Sequence, residues 1–212
     1  MGVPVLVLGK SGTGKSAALR NFANEELGVI NVLGKPLPFK NDFKSLNTDD
    51  YAKIKQALLN SKVNSMVIDD ANYLMTNQFM RGHGGGKGNA VFELYNQIGD
   101  NFWDLIRFIQ IQLPENKIVY ITMHEEKNDI GDIKPKTIGR MLDEKVCIEG
   151  MFTIVLRAIK EEGKYLLTTQ SNGFDVSKSP MGMFDDLKID NDLKQVNETI
   201  KNYYNLGGNT NA

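Results

Sequence analysis

The stretch "VPVLVLGKSGTGKSAALRNF", Val3 to Phe22, limits the folds open to this chain more than any other. Val3 to Leu8 is an uninterrupted apolar run. Without polar alternation it predicts a central strand covered on both faces. Gly9 ends the run, a small polar loop follows, and Gly14 to Asn24 predicts a helix. Gly9-Lys10-Ser11-Gly12-Thr13-Gly14-Lys15-Ser16 fits G-x-x-x-x-G-K-[ST], with Ala17 next in the helix. Each part has a physical task. Glycines allow positive φ and close approach of a ligand to the backbone. Successive N–H groups then converge on phosphate oxygens. A helix starting near Gly14 adds unpaired amides and a positive dipole end. Lys15 supplies a mobile cation for the terminal phosphates of ATP, and Ser16 a hydroxyl for Mg²⁺. Residues 9–17 are therefore the expected nucleotide-binding segment, with the Lys10 side chain in solvent. The competing explanation is a glycine-rich turn that happens to precede a helix.

Downstream, apolar runs alternate with helical periodicity. "GVINVL" (Gly28 to Leu33) predicts a second strand. A turn-rich loop follows, and Thr48 or Asp49 caps a helix ending near Asn60. Val63 to Ile68 predicts a third strand running into Asp69-Asp70, and a helical segment reaches Met80. From Val91 to Leu113, apolar residues recur every three or four positions, which predicts a long core-facing helix around Trp103. "KIVYITMH" predicts a strand, and Glu125 to Lys145 a long loop with a short helical piece. "MFTIVLRAIKEEGKYLLTTQ" predicts a hairpin turning at Glu162-Gly163. A terminal helix follows, with Asn191 as its cap. This order predicts an α/β fold: a mostly parallel sheet flanked by helices, with an antiparallel C-terminal hairpin at its edge. Residues 1–205 form one domain, and 206–212 a disordered tail.

Ligands of such sheets sit at the carboxyl ends of the strands. Asp69 ends an apolar run there, matching the Walker B pattern, as a partner of Mg²⁺ or of its bound water. Asp70 either orients and deprotonates an attacking water or caps the next helix. His124, at the end of its strand, is a candidate sensor of the terminal phosphate. Thr122 is the alternative on the same strand face. Catalysis of this kind also calls for a second cation. Lys136, Arg140 and Lys178 are candidates contributed by a neighbouring subunit, against a default of solvated surface charges. "RGHGGGKGNA" (Arg81 to Ala90) contains five glycines, two cations and no acid. It is either a flexible linker or a loop whose Arg81 and Lys87 grip a nucleic-acid backbone.

Composition sets the remaining bounds. The formal charge of −1 excludes a polycation, so any nucleic-acid contact must be local. The single cysteine, Cys147, fits a reducing compartment and reads as a small core residue. No apolar stretch reaches the ~20 residues of a membrane span, and no secretory leader is expected. A cytoplasmic protein is the expectation.

Together, "GKSGTGKS", "MVIDD", "IVYITMHEE", "KPKTIGRML" and "KSPMGMFDDLKIDNDLKQVNETIKNYY" resemble the small phage-encoded RecA-like P-loop ATPases of recombination and single-strand-annealing modules. The resemblance spans nearly the whole chain. It implies a RecA-like P-loop NTPase fold and DNA-stimulated ATP hydrolysis, with action in phage recombination or replication. Implied partners are single-stranded DNA, a single-strand-binding protein and further copies of the chain in a ring or filament. It also implies DNA-facing loops at Phe79–Ala90 and Glu125–Asp143. Two departures stand out. The group carries a catalytic glutamate beyond an early strand, and here none follows "GVINVL", Asp42 being poorly placed. The N-terminal helix and strand that link RecA filaments also have no counterpart before Val3. An AAA-type helicase loader and a nucleotide switch remain alternatives. A small-molecule kinase is disfavoured, because its arginine-rich lid has no counterpart.

Overall fold

The computed structural model describes residues 1–85, 88–128, 131–139, 142 and 145–206. Its strands are β1 (Val3–Gly9), β2 (Leu27–Asn31), β3 (Ser45–Asn47), β4 (Ser65–Asp69), β5 (Ile118–Lys127), β6 (Ile133–Pro135), β7 (Ile154–Glu161), β8 (Lys164–Thr168) and β9 (Lys188–Asp190). The helices are α1 (Tyr51–Asn60), α2 (Asn72–Gly82), α3 (Asn89–Gln112) and α4 (Leu193–Tyr204). Eight strands follow the order β3-β2-β4-β5-β1-β7-β8-β9, and β6 pairs with β5 off this path. From β3 to β7 every pairing is parallel, whereas β8 and β9 add antiparallel strands at one edge. The chain is thus α/β, with a mostly parallel mixed sheet flanked by helices.

Continuous apolar strands arise because both sheet faces are covered. In β1, Leu6 and Leu8 enter the core under α1, α2 and α3, while Val5 and Val7 enter the core under α4. Met66 and Ile68 oppose Val67 in β4 in the same way, as Val119, Ile121 and Met123 oppose Ile118 and Tyr120 in β5. Each such side chain contributes roughly 1.5–3 kcal/mol by leaving water, so a one-residue slip in register would disrupt both layers at once. The α3 stripe follows the same logic: Ile98, Phe102, Leu105, Ile106 and Ile109 are fully buried, and Trp103 lies half in solvent. The expected hairpin also forms. Glu162 (φ 48°) and Gly163 (φ 80°) both adopt the left-handed conformation that a tight two-residue turn requires.

Several expectations are corrected. No α-helix spans Gly14 to Asn24; a single 3-10 turn, Ser16–Leu19, stands in its place. The Ala17 carbonyl accepts the Arg20 backbone N–H three residues on (3.2 Å), which is the 3-10 pattern, and also the Arg20 guanidinium (3.1 Å). The caps of α1 and α4 are Asp50 and Asp192, whose carboxylates accept backbone N–H bonds, rather than Thr48, Asp49 or Asn191. Part of the loop from Glu125 is strand, because β5 runs on to Lys127 and β6 folds back on it. Cys147 is exposed; in its turn the buried positions are Leu142 and Ile148. Residues 207–212, most of the expected tail, lie outside the described residues. Among those described, no helix is long and apolar enough to cross a membrane.

Candidate functional site

The parallel register brings the chemistry to the carboxyl ends of the central strands. Gly9 pairs with His124 across β1 and β5, and Asn31 with Asp69 across β2 and β4. Because β5 lies between β1 and β4, His124 sits between the loop after Gly9 and the Asp69-Asp70 pair. A cleft of about 430 Å³ opens there, lined by Ser11, Gly12, Gly14, Lys15, Ser16, Ala17, Lys35, Asp70, His124 and Tyr165, among others.

The loop is folded around its own lysine. Lys15 Nζ donates to the carbonyls of Gly9 (2.7 Å) and Lys10 (2.9 Å). Gly12 and Gly14 take φ of 80° and 94°, conformations that side chains oppose. Thr13 closes the turn by donating to the Lys10 carbonyl, and the Lys10 residue itself is exposed. Behind the loop, Asn191 Nδ2 donates to the Thr13 carbonyl (3.3 Å). Arg20 reaches the Asn191 carbonyl (2.5 Å), and Asn21 donates to Asp192 (2.7 Å). The segment before α4 therefore supports the loop from outside the cleft.

Ser16 Oγ lies 2.9 Å from both carboxylate oxygens of Asp69. Thr122 Oγ1 donates to Asp69 Oδ1 (2.8 Å) and accepts the Asp70 N–H (2.8 Å). Asp69 makes no helix-capping bond. Burial, and then the neighbouring Asp70 charge, push its carboxyl above the usual range, while the Thr122 and Ser16 hydrogen bonds oppose them. Asp70 does not cap a helix either: α2 begins at Asn72 without a side-chain cap. Asp70 instead holds a left-handed backbone (φ 58°) and a buried carboxylate. Its Oδ2 meets the Lys35 ammonium as an ion contact rather than a directed hydrogen bond, and its Oδ1 lies 3.7 Å from His124 Nε2.

His124 connects the two halves. Its Nδ1 lies 3.5 Å from Lys15 Nζ. An ammonium only donates, so Nδ1 accepts and the ring proton resides on Nε2, facing Asp70. Burial and then the Lys15 charge hold His124 below the ordinary histidine range, so the imidazole is neutral at neutral pH. Burial likewise lowers Lys15, against the pull of Asp70 and Asp69.

Lys15, Ser16, Asp69, Asp70 and His124 thus converge, and Thr122 proves to be the bridge between the two aspartates rather than a cleft-lining group. The other candidates lie apart. The Lys136 backbone N–H donates to the His124 carbonyl (2.8 Å). Lys178 pairs through its backbone with Val155 and does not line the cleft of its own chain. Arg81, at the end of α2, is ion-paired with Asp49 at 2.5 Å. Arg140 and Lys87 lie outside the described residues. Lys35 is the member that the motif reading missed. It belongs to no motif, and its place is set by a side-chain turn: Asn31 accepts the Gly34 N–H (2.8 Å) and donates to the Lys35 carbonyl (2.7 Å). A search of protein-family models and of curated proteins found no match to this chain.

Proposed function

We propose that this chain is an ATP-binding and ATP-hydrolysing protein of the RecA-like P-loop class that acts on DNA in phage recombination or replication, in the host cytoplasm. One observation carries the reading. A Gly-rich loop ending in Lys15-Ser16 faces an Asp69 carboxylate and a neutral His124 at the carboxyl ends of adjacent strands. The glycine conformations and Lys15 suit anionic phosphates. With only a short 3-10 turn behind the loop, little of the attraction comes from a helix dipole.

The donor set fits Mg²⁺. One hydroxyl and one carboxylate are hard oxygen ligands, and Mg²⁺ commonly takes few protein ligands beside phosphate and water. Among the described residues no cluster of three or more His, Cys, Asp or Glu forms a metal cage, so Ser16 and Asp69 are the residues that would hold it. When bound, Mg²⁺ neutralises phosphate charge. The chain's own residues do the rest. The loop amides and Lys15 bind and orient the phosphates. Asp70 is the candidate to orient a water and accept its proton. Neutral His124 donates or accepts a hydrogen bond between Lys15 and Asp70.

The DNA part of the reading is supported by placement. The segment Phe79–Ala90 runs from the last turn of α2 to the start of α3, and the β5–β6 ribbon extends from the strand end that carries His124. Assembly into a ring or filament, with Lys136, Arg140 or Lys178 acting across subunits, belongs to the same proposal, as does a single-strand-binding protein as partner. Steady-state ATP hydrolysis with and without single-stranded DNA tests it: DNA should stimulate turnover. Phosphoryl transfer to a nucleoside monophosphate would sink it. Arg81→Ala with Lys87→Ala should weaken DNA binding and flatten its salt dependence. A nucleotide switch with little turnover is favoured by one fact, the occupation of Asp70 by Lys35.

A further inference from the structure

Among the described residues lining the cleft, Lys35 is the one permanent cation besides Lys15. It occupies the segment beyond β2, where the resemblance implies an acidic residue. The fold places it there with care. Asn31 ends β2 in register with Asp69, so the chain leaving β2 starts beside the aspartate pair. The buried Asn31 amide grips the backbone at Gly34 and at Lys35. Gly34 turns with φ 65°, and Pro36 follows and restricts the exit. The Lys35 stem crosses the cleft rim half-exposed and its ammonium rests on the buried Asp70 carboxylate.

We propose that Lys35 is a discriminator acting within its own chain, making the cleft prefer a nucleoside triphosphate over the diphosphate. The inference rests on the phosphate-loop reading above. Two physical facts carry it. Lys15, His124, Asp70 and Lys35 line the cleft as a chain of successive contacts, at 3.5 Å, 3.7 Å and the Lys35–Asp70 ion contact. Lys15 serves the terminal phosphates at one end of that series, so Lys35 stands at the other end of the same charge network. The second fact is charge. Asp70 faces the cleft with its carboxylate, and an anionic terminal phosphate would be repelled by it. Lys35 neutralises Asp70 through the ion contact, and its ammonium still has donors to offer a phosphate oxygen. Glu125 and Asp69 add further negative charge near Lys15, which strengthens the need for a second cation. A diphosphate, lacking the terminal group, gains little from Lys35.

Equilibrium titration with MgATP and MgADP tests this without reference to turnover. Lys35→Ala should lose about tenfold in ATP affinity and less than about threefold in ADP affinity, the scale of one partly exposed charge contact. Asp70→Asn added to Lys35→Ala should restore part of the ATP affinity, because it removes the repelling charge. Asparagine also tolerates the left-handed backbone at that position. Lys40→Ala, in the same segment but outside the cleft, should bind both nucleotides as the unaltered chain does. Equal losses for ATP and ADP, or no loss for either, would overturn the inference while leaving the phosphate loop standing. Failure of the unaltered chain to bind either nucleotide would remove the phosphate reading and this inference with it.

Discussion

Thr122 Oγ1 stands between two aspartates, donating to Asp69 Oδ1 and accepting the Asp70 N–H, each at 2.8 Å. One hydroxyl thereby holds the carboxylate assigned to Mg²⁺ and the strained backbone of its neighbour. Thr122 is fully buried, so neither group has water to turn to. Thr122→Val keeps the shape, orphans the Asp70 N–H and leaves Asp69 Oδ1 with Ser16 alone. A loss of about 1–3 kcal/mol in unfolding free energy is expected, the cost of one unsatisfied buried group. Urea denaturation reads it directly. Thr122→Ser should retain most of the stability, and a larger loss from Thr122→Ser than from Thr122→Val would mean that the methyl group, not the hydroxyl, matters.

Lys15→Ala removes the loop's cation and its two bonds to the Gly9 and Lys10 carbonyls. Nucleotide binding should disappear, measured by titration calorimetry. Binding at unchanged affinity would refute the assignment of residues 9–16 to phosphate.

His124 gives the chain a directional pH response. Its pKa in the unfolded chain is the ordinary 6.5, and in the folded chain it is lower. Between the two values the unfolded state binds more protons, so stability rises with pH. The contribution is intact above 6.5 and is lost as pH falls from there toward the folded value. On going from about pH 7.5 to about pH 5.5, the unaltered chain should therefore lose more stability than His124→Gln. Chemical denaturation at several pH values compares them, and parallel curves would contradict the shift.

How far the sequence alone announces each element depends on what holds that element in place. β1, β4 and β5 were readable because burial on two faces demands unbroken apolar residues. The turn at Glu162-Gly163 was readable because few residues accept its backbone. β3, β6 and β9 were not: each has three residues, and their order comes from pairing with a neighbour. The helix expected after Gly14 is a 3-10 turn in a segment whose Arg20 is tied to the Asn191 carbonyl, 171 residues away, a contact that local periodicity does not carry. Adjacent acids such as Asp49 and Asp50 carry the same signal, so the capping residue was identifiable only to within a position or two. Lys35 was invisible because a lysine in a turn-rich loop has no pattern. Its meaning comes from Asn31, four residues earlier.

Arg157 makes a two-pronged pair with Glu125, at 2.7 and 3.0 Å, and reaches Asp175 at 3.5 Å. Both carboxylates are almost wholly buried. Arg157→Ala should destabilise the fold by about 3–5 kcal/mol, because it leaves buried charge without a partner. Arg157→Ala combined with Glu125→Gln should recover part of that loss in the same denaturation assay. A cost below about 1 kcal/mol for the single variant would assign the cluster to the weak surface class of ion pairs.

The brace behind the phosphate loop has a consequence for the order in which the protein comes into being. Thr13 and the Asn191 side chain that holds it are separated by 178 residues. At roughly 5–20 residues per second, a ribosome needs about 10–35 s to make that stretch. During this interval the loop has been synthesised but lacks its support from behind, along with the anchoring of Arg20 and Asn21. The cleft acquires its finished wall only when the segment leading into α4 docks against the loop near Thr13.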